Sequence, residues 1–178
     1  MGNGASGRTI ISTGANDGKM NLLNSVPMWL AVLLSVVLLA ASVQDILVRK
    51  ISNLLVLAVL IGGLAAMVIM GPQVALWQNL LVFVVLLAVG VFAYARKVLG
   101  AGDAKLIAAT GLWVDLAGAP RLVAAILISG GLVALLMLIR FAIGPKVVGE
   151  GMKKRRSVPY GVAIAAGALL IVWYGRVG

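Results

Sequence analysis

The chain has 178 residues, 62% of them apolar and 11% charged, with 15 Lys and Arg against 5 Asp and Glu. A soluble domain is nearer 45–50% apolar and about 25% charged, and one this small leaves much of its surface in water. The composition therefore excludes an ordinary soluble globule and points to an all-α, polytopic membrane protein whose apolar surface meets lipid. The chain has no His and no Cys. That removes Ser-His-Asp and Cys nucleophiles, His- or Cys-ligated metal and haem sites, and disulfides.

Residues 1–25 are rich in Gly, Ser, Thr and Asn and carry no apolar period. They read as a flexible tail ahead of a transmembrane domain over 26–178. Apolar runs follow near 27–44, 53–70, 74–95, 104–119, 121–143 and 158–175. A crossing helix needs about 20 apolar residues, so the expectation is about six transmembrane helices. The run 104–119 is the weakest, being short and containing Asp115. The first run is not a cleaved signal, because its basic cluster, Arg49-Lys50, follows the apolar core instead of preceding it.

The connections alternate in charge. Arg49 and Lys50 mark the first, Arg96, Lys97 and Lys105 the third, and Arg140, Lys146 and Lys153-Lys154-Arg155-Arg156 the fifth. The second, Gly71-Pro72-Gln73, has none, and the fourth has only Arg121. The positive-inside rule places the basic three in the cytoplasm and, with six spans, both termini outside. The positive charge is then a topology signal with affinity for anionic lipid, not a nucleic-acid footprint. Trp29, Trp77, Trp113 and Trp173 all fall toward the outer helix ends, as interface anchors do.

Two of the five acids, Asp45 and Asp103, lie at cytoplasmic helix ends at similar depth. Two carboxyl groups about 3 Å apart share one proton and titrate as a unit. Such a pair activates water and polarises a scissile carbonyl without His, Cys or a cofactor. Simpler roles compete: Asp103 reads as the N-cap of the fourth helix, and Asp45 as a partner of Arg49 one turn on. Asp115 lies toward the outer side and belongs to no such pair. Gly100 and Gly102 beside Asp103 allow close backbone approach.

These residues carry a resemblance. Gly100-Ala101-Gly102-Asp103, with Lys105, resembles the GxGD motif of the prepilin peptidase family of membrane aspartic peptidases. Asp45 through Ile51-Ser52-Asn53 resembles that family's first-aspartate segment, which commonly ends Ile-Pro-Asn, with Ser52 replacing the Pro. Pro159-Tyr160-Gly161 is similar to its late Pro-Tyr-Gly segment. The resemblance implies a catalytic pair, Asp45 and Asp103, supported by Gly100, Gly102, Lys105, Asn53, Pro159, Tyr160 and Gly161. It implies as substrate the basic leader of a type IV prepilin, cut at the cytoplasmic face of the bacterial inner membrane. The chain has no cysteines and no room for the extra cytoplasmic domain of the larger, methylating members. It thus resembles the short, peptidase-only form found with tight-adherence (Flp-type) pili. Presenilin-like proteases share GxGD, but their Pro-Ala-Leu signature is absent. A transporter or channel coupling ions through Asp45 and Asp103 is the alternative, although such sites usually lie near the midplane.

Overall fold

The computed structural model describes residues 26–70, 76–143 and 160–177. The expectations for the 1–25 tail, the 71–73 turn, the 153–156 basic run and Pro159 lie outside the described residues. Six helices follow in order: α1 (Met28–Val48), α2 (Asn53–Met70), α3 (Leu76–Ala95), α4 (Ala101–Gly111), α5 (Ala119–Ile143) and α6 (Tyr160–Val177). Among the described residues, three are long and apolar enough to cross a membrane: α1, α3 and α5 up to Ile139. The apolar stretches of α2 and α6 are shorter.

Helix α1 shows how the sequence sets its own orientation. Pro27 cannot donate a backbone hydrogen bond, and it stands at the N-cap. The helix buries Leu30, Ala31, Leu34, Ser35, Leu38, Ala41, Ser42 and Asp45. These recur every three or four residues, the period of one helix face. Asp45 is the last position of that stripe, so the packing that buries Leu30 and Leu38 also turns Asp45 inward. The opposite face, including Trp29, Val36, Leu39 and Leu47, is exposed, as suits contact with lipid. The helix stops at Arg49, which adopts a left-handed conformation with φ 55°.

Helix α4 lies at the centre, packed by α2, α3 and α6, while α1 packs on α2 and α6, and α5 on α6. Small residues let it in. A Cβ on Gly90 of α3 would lie 3.0 Å from Ala104 Cβ, and one on Gly63 of α2 would lie 2.8 Å from Leu112 Cδ2.

The fourth span expected over 104–119 differs. The helix starts earlier, ends at Gly111, and gives way to turns over 112–118. At 1.5 Å per residue, 11 residues reach only about 16 Å, well short of the hydrocarbon core. The chain tightens after Gly111, with Trp113 N–H bonding to Thr110 and Val114 N–H to Gly111, and Asp115 Oδ1 then accepts the Gly118 N–H at 2.7 Å and starts α5. Trp113 also departs from expectation. It is fully buried, not interfacial, and its Nε1–H donates to the Val59 carbonyl at 3.0 Å. Trp29, Trp77 and Trp173 are exposed.

Candidate active site

Four segments meet at one end of the bundle: the last turn of α1, the 49–52 connection, the first turn of α4 and the first turn of α6. Asp45 comes from the first of these and is buried. Its Oδ2 accepts the Gly161 N–H at 2.7 Å. Gly161 is the second residue of α6, so that N–H is one of the donors a helix start leaves unpaired. The positive end of the helix dipole adds to the attraction. Only glycine fits: a Cβ at 161 would lie 2.8 Å from Asp45 Cβ and 2.9 Å from Oδ2.

Asp103 stands in the first turn of α4, three residues after the N-cap. The N-cap is Gly100, with φ −72° and ψ 148°, so Asp103 is not the cap that its sequence position suggests. Gly100 instead makes room for it: a Cβ there would lie 2.6 Å from Asp103 Oδ2. The Asp103 Oδ1 is buried and, among the described residues, has no hydrogen-bond partner. Burial first, and then the charge of Asp45, push the Asp103 carboxyl up to about 6, against a smaller opposing pull from a Gly100 backbone hydrogen bond. Asp115 lies beyond the other end of α4 and is bonded to its own turn.

The connection between α1 and α2 ties these parts together. Lys105 Nζ donates to Asn53 Oδ1 at 3.2 Å, linking the starts of α4 and α2. Gly102 lies against Ile51, with a Cβ there only 3.0 Å from Ile51 Cβ. Ser52 begins α2, its Oγ accepting the Leu54 N–H at 3.2 Å. Its own N–H donates to Gln44 Oε1 at 2.8 Å. Sequence reasoning passed over Gln44, a polar residue beside an acid in a largely apolar helix. Tyr160 is partly exposed at the mouth of α6. Among the described residues, no three His, Cys, Asp or Glu side chains gather closely enough to hold a metal ion.

A family model described as the type IV leader peptidase family matches residues 32–151. The match covers well over half of the chain and includes both Asp45 and Asp103.

The chain belongs to the type IV leader peptidase family.

Membership makes it a protease of multi-pass membrane type, with a prepilin as the kind of substrate the family implies. The matched region ends before Tyr160-Gly161, so the contact of Gly161 with Asp45 is an independent feature of the structure. No curated protein and no solved structure matches the chain.

Proposed function

We propose that the protein is an aspartic endopeptidase in which Asp45 and Asp103 are the catalytic pair. The observation that carries this reading is geometric: the Gly161 N–H reaches Asp45 Oδ2 at 2.7 Å, and the connection leaving that same end of α1 lies against Gly102, next to Asp103. Asp45, supported by the Gly161 N–H, takes a proton from the attacking water. Asp103, with its carboxyl pushed up to about 6, gives its proton to the carbonyl oxygen as the tetrahedral adduct forms. The proton on Asp45 then passes to the leaving nitrogen, the C–N bond breaks, and the adduct's hydroxyl proton returns to Asp103. The products are a leader carboxyl group and a new pilin amine. Gly100, Gly102 and Gly161 let backbone approach both acids, and Tyr160, partly exposed at the start of α6, borders the site. Lys105 and Asn53 hold the two catalytic segments in register.

The substrate is the short basic leader of an Flp-like prepilin, cut where it joins the pilin's apolar helix. A helical backbone buries its peptide bonds, so the cut falls in an extended stretch at the interface. The basic connections support an orientation with this end of the bundle at the cytoplasmic face of the inner membrane and both termini outside. The short 49–52 connection between α1 and α2, which leaves no room for an added domain after Asp45, and the absence of Cys favour the peptidase-only form.

The test is coexpression with a candidate prepilin, following leader removal on gels. Asp45→Asn and Asp103→Asn should each abolish cleavage, and normal cleavage by either variant would overturn the dyad. A wild-type protein that cleaves nothing but moves ions in vesicles would favour the transporter reading instead.

A further inference from the structure

We propose that Gln44 is a positioning residue for the aspartate pair, acting through the backbone of Ser52. This rests on the catalytic reading of Asp45 and Asp103. Gln44 immediately precedes Asp45 in α1, and its Oε1 accepts the Ser52 N–H at 2.8 Å across the 49–52 connection. The Arg49 N–H bonds back to the Asp45 carbonyl at 2.9 Å, which closes the helix, and the Gln44 contact then ties the end of the connection back to α1.

What Ser52 carries with it explains the consequence. Ile51, one residue before, is the surface against which Gly102 is pressed. Asn53, one residue after, receives the Lys105 ammonium at 3.2 Å. Both contacts reach the first turn of α4, on either side of Asp103. Holding Ser52 to Gln44 therefore fixes the segment that carries Asp103 relative to the helix that carries Asp45. The side-chain amide does its work without touching substrate or either carboxyl group.

The role depends on the residue at 52. A proline there has no N–H and leaves Gln44 without its partner, while its ring stiffens the connection by fixing φ. The chain carries a serine, which is freer, and the glutamine supplies the missing restraint. Gln44 and Ser52 thus form one unit, and their substitutions should couple.

The experiment is a double-mutant cycle on the full-length protein, with prepilin cleavage as the readout. Gln44→Ala should lower kcat about tenfold while moving KM by less than about twofold, because misplaced reacting groups cost rate rather than binding. In the Ser52→Pro background, Gln44→Ala should change kcat by less than about twofold. Wild-type kcat in Gln44→Ala, or an equal loss in both backgrounds, would overturn the proposal. If Gln44→Ala does not accumulate in membranes, Gln44→Glu keeps an acceptor at the same reach. Cleavage by that variant supports the role, and its loss despite normal accumulation counts against it. Asp45→Asn and Asp103→Asn are run alongside. If they cleave normally, the dyad reading fails; if only Gln44→Ala does, the dyad stands and the positioning role fails.

Discussion

A single backbone N–H does much to define this site. The Gly161 donor reaches Asp45 only because no side chain stands between them. Gly161→Ala must push α6 away from Asp45, so leader cleavage should fall about 100-fold while membrane accumulation stays near normal. Asp103 gives the complementary prediction. Its carboxyl is pushed up to about 6, whereas in an unfolded chain it titrates near 3.9. Between those values the folded protein binds more protons than the unfolded chain, so this group's contribution to stability declines as pH rises through the window. Asp103→Asn removes the cost of an ionised carboxylate at that place. The variant should therefore melt a few degrees above wild type at pH 7.5, with little or no difference at pH 4. For activity, the proton on Asp103 is needed, so the wild-type rate should decline as pH rises above about 6, a limb visible in kcat against pH.

Among the elements, the α5–α6 pair depends most on the absence of side chains. A Cβ on Gly167 would lie 2.7 Å from the Ile126 nitrogen and 2.8 Å from the Ala125 carbonyl carbon, backbone against backbone. Ser129 adds a polar link, with its Oγ 2.7 Å from the Ala163 carbonyl of α6. Close approach of this kind is how helices associate in lipid, where no hydrophobic force separates them from the solvent. Gly167→Ala should cost about 1–3 kcal/mol, read as a lower melting temperature in detergent. Gly131, on the same helix as Ser129, has nothing within 4 Å of its would-be Cβ. Gly131→Ala should leave the melting temperature unchanged or slightly raised. If both substitutions behave alike, the close packing of α5 on α6 is not what holds the pair.

At the scale of the molecule, orientation is open to direct measurement because the chain has no Cys. Val98, in the connection between α3 and α4, is 65% exposed, and Leu116, at the opposite end of α4, is 49% exposed. Val98→Cys should react with a membrane-impermeant maleimide in inverted vesicles, and Leu116→Cys only in intact spheroplasts. The reverse pattern would sink the proposed orientation. Much of this architecture is legible in the chain itself. Hydropathy marks the six helical segments, and the stripe from Leu30 to Asp45 already directs that acid inward. The end of α4 is hidden, since an apolar run does not reveal that the chain will tighten after Gly111. Trp113 misleads because indole suits both an interface and a core, and only its packing on Gly62 and Gly63 decides. The bond from Gly161 to Asp45 is hidden too, because it joins segments distant in the chain and depends on how α1 meets α6.

The burial of Trp113 makes the protein its own optical gauge. Its indole, just past the end of α4, is buried against α2, whereas Trp29, Trp77 and Trp173 are exposed on the outer surface. Brominated lipids quench fluorophores that they touch, so they should darken those three and leave Trp113 bright. The light that survives comes from the centre of the bundle, next to the helix that carries Asp103. Any event that loosens α4, whether substrate entry or a failed fold, then becomes visible as new quenching without a single added label.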